Sequence, residues 1–264
     1  MNRLGVLGWP VAHSRSPVMH RAALAALGLE EWTYQLLPVP GALLEETVRA
    51  LPGAGFVGAN VTVPHKEAAL ALADSASDAA LAIGAANTLS FSVDGEISAE
   101  NTDAPGLIDA LPIEVAGKTA LVLGAGGSAR AAAWALREAG AGVSVWNRTP
   151  ERAAALATEL GVRAVANPGP AEVLVNCTTV GMGDAQPSKL PVAKLALCDY
   201  GCVVDLAYGD GATALVSAAR KQGVAVVDGL EVLVRQGARS LEVWTQRAAP
   251  LAVMREAIAG VGSA

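Results

Sequence analysis

Short runs rich in Val and Leu alternate with Ala-rich amphipathic segments along almost the whole chain. Brief apolar runs bounded by turn residues read as buried strands, and helical-period segments between them read as crossovers. The alternation is the βαβ signature, so the expected fold is α/β with mostly parallel sheets. In the first half, strands are expected at 3–8, 32–38 and 56–63. Helices are expected at 16–27, 41–51, 64–73 and 76–84. Ser16 reads as an N-cap, Pro17 as the first helical residue and Gly28 as the C′ stop. A hairpin follows, turning at Asp94-Gly95.

Near residue 101 the pattern changes. Asn101-Thr102-Asp103-Ala104-Pro105-Gly106 looks like a helix start, and the apolar strand 118–123 then ends abruptly in glycines. Strands follow at 142–146, 162–165, 172–176, 202–206 and 224–227, with helices at 127–139, 150–160 and 211–222. Two helices, 229–247 and 250–260, close the chain without a further strand and are expected to pack back on the first half. The expected plan is therefore two α/β domains. Residues 1–101 with 237–264 form a substrate domain on an open, mostly parallel sheet. Residues 102–236 form a doubly wound Rossmann domain.

Composition narrows the function classes. Of 264 residues, 52% are hydrophobic and 17% charged, which marks a core-forming chain. Mean hydropathy is +0.39, yet no apolar run approaches the ~18–20 residues of a membrane span. The net charge of −6 argues against phosphate-tracking nucleic-acid binding. The start carries no basic-then-apolar leader. Cys177, Cys198 and Cys202 form no paired framework, so reduced thiols and a cytoplasmic location are expected. Cys198 and Cys202 resemble half a metal site, but no further Cys or His stands near them, and no metal is expected.

Gly124-Ala125-Gly126-Gly127-Ser128-Ala129 fits G-x-G-x-x-A between a strand and a helix, the context in which the motif carries meaning. Gly124 allows the tight turn, Gly126 lets backbone approach a pyrophosphate, and Ala129 keeps helix and strand close. The helix N-terminus offers free N–H groups and partial positive charge to phosphate. An ordinary glycine turn is the bland alternative.

The end of the next strand chooses the dinucleotide. An NAD site usually has Asp or Glu there, about 20 residues past the glycines. This chain has Asn147-Arg148-Thr149-Pro150-Glu151-Arg152. A carboxylate would repel a 2′-phosphate, whereas guanidinium groups grip it as a fork. NADP is therefore expected over NAD, the alternative being that Arg148 and Arg152 form a solvated helix start.

Polar residues interrupt the first domain in four places: Ser14 with Ser16; Asn60, Thr62 and Lys66; Asn87-Thr88; and Asn101-Thr102-Asp103. Each has a bland reading as cap or turn chemistry. Together they exceed what an apolar domain needs and can line a cleft. A carbonyl-reducing enzyme needs a proton donor, and a lysine tuned by a neighbouring aspartate serves. Lys66 with Asp103 is the candidate pair, although Lys66 also reads as a surface helix residue. His13, His20 and His65 are rivals. His20 falls inside a helix and reads as packing, and His65 projects about 100° away from Lys66.

These segments, with Asn176-Cys177-Thr178, Gly181-Met182, Asp205-Leu206-Ala207-Tyr208 and Asp228-Gly229-Leu230, resemble the shikimate dehydrogenase family, in family order and over nearly the whole chain. The resemblance implies NADPH-dependent, reversible reduction of 3-dehydroshikimate to shikimate, a step toward chorismate and the aromatic amino acids. It implies that Ser14 and Ser16, with Tyr208, bind the substrate carboxylate, and that Thr62, Asn87, Asp103 and Gln236 bind ring hydroxyls. Lys66 becomes the acid/base group and Asp103 its partner. Gly124, Ala125, Gly126, Gly127, Ser128 and Ala129 hold the pyrophosphate. Asn147, Arg148, Thr149 and Arg152 hold the 2′-phosphate. Leu206 and Gly229 lie by the nicotinamide, Thr178 belongs to the cofactor site, and Asp78 aligns with an acidic position near the cofactor. Leu206 and Val232 stand where many relatives carry Met, which alters packing and not chemistry. The alternatives are a quinate/shikimate dehydrogenase working oxidatively and a non-catalytic NADP(H)-binding regulator. Association is left at monomer or homodimer.

Overall fold

A computed structural model describes residues 2–180, 197–209 and 211–259. It divides into two compact units, Met1–Gly106 with Val234–Ala264, and Leu107–Leu233. Each is α/β around a six-stranded sheet. The division keeps Thr102 to Gly106 and Val234 to Gln236 with the first unit, so Asp103 and Gln236 belong with Lys66.

The first unit runs β1 (Arg3–Gly8), α1 (Ser16–Ala26), β2 (Thr33–Pro38), α2 (Leu44–Ala50), β3 (Phe56–Val61), α3 (Lys66–Ala71), β4 (Ser75–Ala76), α4 (Asp78–Ile83), β5 (Thr88–Phe91) and β6 (Ile97–Glu100). Its sheet order is β2-β1-β3-β5-β6-β4. β1 lies parallel to β2 and β3, while β5 is antiparallel to β3 and β6. The register pairs Leu7 with Val61, Asn60 with Thr88, and Thr88 with Glu100. Consequently the ends of β1, β3 and β6 and the start of β5 meet at one sheet edge. Leu7, Ala59, Val61, Leu89, Ile97 and Ala99 build the core beneath it, each buried Leu or Val worth about 1.5–3 kcal/mol.

Several helix starts differ from expectation, 44 rather than 41 and 78 rather than 76 among them, and two of the differences border the polar sheet edge. Arg15, not Ser16, occupies the N-cap position of α1 and makes no side-chain cap. The Ser14 hydroxyl instead accepts from the Ser16 amide at 3.3 Å, closing the turn one step earlier. α3 begins at Lys66 rather than Pro64, because the His65 amide donates to the Thr62 carbonyl in a turn at 2.9 Å. The first helical bond there is Ala69 to His65, at 2.8 Å.

α5 (Asp103–Ala110) leads into the second unit, which holds β7 (Thr119–Leu123), α6 (Gly127–Glu138), β8 (Gly142–Trp146), α7 (Pro150–Leu160), β9 (Arg163–Ala164), β10 (Val173–Asn176), β11 (Cys202–Asp205), α8 (Ala214–Lys221) and β12 (Ala225–Val227). The order β12-β11-β10-β7-β8-β9, parallel throughout, is that of a doubly wound sheet. Its topological switch lies between β7 and β10. Ala129, Ala132 and Ala133 are buried against Val122 and Val145, so small side chains let α6 sit close to the sheet. α9 (Gly229–Thr245) and α10 (Leu251–Ala259) return the chain to the first unit. No helix among the described residues is long and apolar enough to cross a membrane.

Candidate active site

The sheet edge of the first unit gathers polar side chains into one bonded cluster. Lys66, in the first turn of α3, donates from Nζ to Asp103 Oδ2 at 2.5 Å. Their side chains are only 10% and 16% exposed. Asn87 Nδ2 donates to Asp103 Oδ1 at 2.9 Å, to Thr102 Oγ1 at 2.9 Å and to Gln236 Oε1 at 3.1 Å. The Asn87 amide cannot be turned round, because the Thr102 backbone N–H donates to its Oδ1 at 2.7 Å. Asp103 thus has one oxygen held by an ammonium and the other by an amide. A buried ammonium so fixed can hand over a proton without searching for its geometry.

Behind this pair runs a second, fully buried layer. Tyr34 donates from its hydroxyl to Asn60 Oδ1 at 2.7 Å, and Asn60 Nδ2 donates to Ser240 Oγ at 2.8 Å. Ser240 lies 2.8 Å from the Thr88 hydroxyl and 3.0 Å from that of Thr102. Ser240 stands one helical turn after Gln236 on α9, so the layer reaches the cluster through Thr102 and through α9 itself. A Cβ on Gly106 would lie 2.7 Å from Gln236 Cα, so only glycine lets α5 approach α9 there. Tyr34 and Ser240 escaped the sequence reading. Their only signal was a polar group within an otherwise apolar strand or helix face.

Other expected residues occupy the same edge. Ser14 is half-buried and Ser16 buried in the segment after β1, and Thr62 follows β3. A Cβ on Gly8 would meet Thr62 Cγ2 at 2.5 Å, which places Thr62 directly beside the end of β1. His65 turns away: its ring Nε2 lies 2.6 Å from the Val39 carbonyl. His20 is packing, stacked on Tyr34 with ring centroids 4.3 Å apart. Neither of its ring nitrogens has a hydrogen-bond partner among the described residues, and burial pushes its pKa down to about 3. Asp78 is exposed in the first turn of α4.

In the second unit the glycine turn takes the strand-to-helix position expected of it. Gly124 has φ +116°, which strains any other residue, and a Cβ there would be crowded at 3.3 Å from the Cys177 carbonyl. Gly126 is the N-cap of α6 with nothing within 4 Å of its Cβ direction. Open backbone at the head of a 12-residue helix fits a pyrophosphate. Ala125 to Ser128 are half-buried and Ala129 is buried. After β8, Arg148, Thr149 and Arg152 are exposed, and Asn147 Nδ2 donates to the Thr149 carbonyl at 2.9 Å. Neither arginine makes a salt bridge among the described residues, which suits guanidiniums that wait for a phosphate. Thr178 donates from Oγ1 to Asn176 Oδ1 at 2.8 Å. Leu206 and Tyr208 are half-buried, and Gly229 packs against the carbonyls of Leu206 and Ala207. Gly181 and Met182 lie outside the described residues. A cavity of about 610 Å³ opens beside the starts of β7 and β8, at the opposite edge from the glycine turn.

Sequence reasoning gave no role to the carboxylate of Asp205, which is wholly buried at the end of β11.

Comparison with known proteins gives the family. Residues 6–89 match the shikimate dehydrogenase substrate binding domain, residues 109–172 the shikimate / quinate 5-dehydrogenase model, and residues 229–259 the shikimate 5'-dehydrogenase C-terminal domain. A shikimate dehydrogenase (NADP(+)) of Thermus thermophilus is 48% identical over 254 residues, 93% of each chain. The crystal structure of shikimate 5-dehydrogenase from another strain of that species, in complex with NADP(H) and shikimate, aligns with TM-score 0.87 at 45% identity. The alignment covers 97% of this chain and 98% of that one. The shikimate dehydrogenase of Aquifex aeolicus aligns with TM-score 0.90 at 35% identity, covering 98% and 97%. With a relative 48% identical along nearly its whole length and three family models in register with both units, the chain belongs to the shikimate dehydrogenase family.

Proposed function

We propose that this chain is an NADP-dependent oxidoreductase that reversibly reduces 3-dehydroshikimate to shikimate, in the cytoplasm. The observation that carries the reading is the buried Lys66–Asp103 pair, held by Asn87 and adjoined by Gln236 at the sheet edge. Bound NADPH supplies a hydride to the carbonyl carbon. As the carbonyl oxygen gains charge, the Lys66 ammonium gives it a proton and becomes a neutral amine. Asp103 holds the Lys66 amine in place through its Oδ2, and Asn87 holds Asp103 in turn through Oδ1. In the oxidative direction the same amine takes the hydroxyl proton.

The remaining residues bind and orient. Thr62, Asn87, Asp103 and Gln236 address the ring hydroxyls. Several hydroxyl-directed groups suit a cyclic polyol, since each unmatched partner would leave a buried polar atom unpaired. Ser14 and Ser16 address the carboxylate, and the family resemblance adds Tyr208 to that role. Hydroxyl donors bind a carboxylate less tightly than an arginine fork, which suits a site that must release product. Gly124 to Ala129 hold the pyrophosphate, and Asn147, Arg148, Thr149 and Arg152 the 2′-phosphate. Thr178, Leu206 and Gly229 face the nicotinamide end. Nothing around Asp78 adds support for its place beside the cofactor.

The test is the absorbance of reduced nicotinamide on mixing the protein with each dinucleotide and each polyol. NADP+ with shikimate is expected to react fastest. NAD+ or quinate giving an equal kcat/KM would replace this reading with the quinate/shikimate dehydrogenase. No turnover with any pair would replace it with a dinucleotide-binding regulator.

A further inference from the structure

Asp205 is 0% exposed, closing β11 at the C-terminal edge of the second sheet. Its Oδ1 accepts from Asn176 Nδ2 at 2.8 Å and from the Ala207 backbone N–H at 3.1 Å. Its Oδ2 accepts from the Thr213 hydroxyl at 2.6 Å, and that hydroxyl in turn accepts from the Val216 amide at 3.1 Å. Every partner can donate, which satisfies an ionised carboxylate, and of the three only the Thr213 hydroxyl could instead accept from a carboxylic O–H. Burial raises the pKa of Asp205, and the same hydrogen bonds oppose that rise. No Lys, Arg or His pairs with it among the described residues. A buried charge without a counter-charge is costly to a fold, and three neutral dipoles offset that cost only in part.

The position of this charge suggests what completes it. Ligands of open α/β sheets lie outside the carboxyl ends of the strands, at the topological switch. Here that switch separates β7 from β10. The glycine turn follows β7, and Arg148 follows β8 on the far side. The other half of a dinucleotide therefore falls over β10 and β11. The turn and this half are adjoined already, since the Cys177 carbonyl stands 3.3 Å from the Cβ direction of Gly124. Asn176, which Asp205 fixes, also accepts from the Thr178 amide and hydroxyl. The nicotinamide ring is a cation when oxidised and neutral when reduced. A fixed anion in dry surroundings distinguishes those two forms without touching either.

We infer that Asp205 is the counter-charge of the oxidised nicotinamide and makes the site bind NADP+ more tightly, relative to NADPH, than its hydrogen bonds and packing alone would. The inference rests on the dinucleotide reading above. It goes beyond that reading by assigning redox-state discrimination to a residue with no expected ligand contact.

The experiment is calorimetric titration of the full chain with NADP+ and, separately, with NADPH, without substrate. Wild type is compared with Asp205→Asn, which keeps the shape and removes the charge. The Thr213 hydroxyl can rotate to accept from the new amide. The Kd for NADP+ is expected to rise about tenfold in the variant, while that for NADPH changes less than about threefold. Equal weakening of both dinucleotides overturns the inference, because a purely structural role loosens the loops for both forms alike. Should thermal melting find Asp205→Asn unfolded, Asp205→Ser, neutral and smaller, carries the same comparison. If wild type binds neither dinucleotide, the reading of the second unit fails instead, and the two failures remain distinct.

Discussion

The two units prepare for ligand by opposite means. In the first, side chains from α3, α5, α9 and the residue just before β5 are tied to one another: Lys66 to Asp103, Asp103 to Asn87, Asn87 to Gln236. In the second, the prominent surfaces are backbone at Gly124 to Gly127, exposed guanidiniums after β8, and one buried carboxylate behind. A bonded side-chain cluster is specific to one substrate geometry and fails steeply when one member is lost. A backbone cradle tolerates side-chain change except at Gly124, where the positive φ disfavours a Cβ. On the proposed function, the difference separates chemistry from anchoring: the first unit would handle the proton, and the second charge and phosphate.

That contrast can be broken by substitution, and the effects should descend in a set order. Lys66→Ala should lower kcat roughly 10²–10⁴-fold with a modest change in KM, the range for a lost general acid. A variant keeping more than about a third of wild-type kcat would refute the role of Lys66. Arg148→Ala should lower the preference of kcat/KM for NADP+ over NAD+ by about tenfold or more, since a charge-assisted fork to phosphate is lost. An unchanged preference would mean that another group reads the 2′-phosphate. Ser14→Ala should raise the KM for shikimate about threefold to tenfold and leave kcat nearly alone, as for one neutral hydrogen bond. An unchanged KM would move the carboxylate elsewhere.

The smallest effect concerns stability. The folded pKa of His20 is about 3, against an unfolded value of 6.5. The unfolded chain therefore binds the extra proton first, and stability falls as pH drops from about 6.5 toward 3. The slope from this one group approaches ~1.4 kcal/mol per pH unit. His20→Phe should flatten that part of the melting-temperature profile. A profile with the same slope in both proteins would show that the acid sensitivity comes from other groups.

Much of this was legible before any coordinates. The strands at 3–8 and 142–146 and the helix at 150–160 fall where the apolar pattern puts them, because a buried strand or amphipathic helix leaves a long, regular signal. β4 left none: at Ser75–Ala76 it is two residues long, too short for any period. The start of α3 was misjudged because Pro64 marks a helix opening by rule, while the local turn from Thr62 to His65 consumed it. The partners in the site were nameable one by one, as polar residues at strand ends. Their connections were not. Asn60 and Ser240 are far apart in sequence yet 2.8 Å apart in space, and only the register of β3 with β5 and the return of α9 bring them together. Asp205 stood within a recognisable stretch, but nothing in its neighbours' identities reveals that it is buried without a cation.

The central claim is that the Lys66 amine meets the oxygen that changes between hydroxyl and carbonyl. A crystal structure of the protein with shikimate and NADP+ bound tests it most directly. Lys66 Nζ is expected within about 2.6–3.2 Å of the hydroxyl oxygen whose carbon faces the nicotinamide C4. An amine turned to bulk water, or bonded only to the substrate carboxylate, would contradict the account.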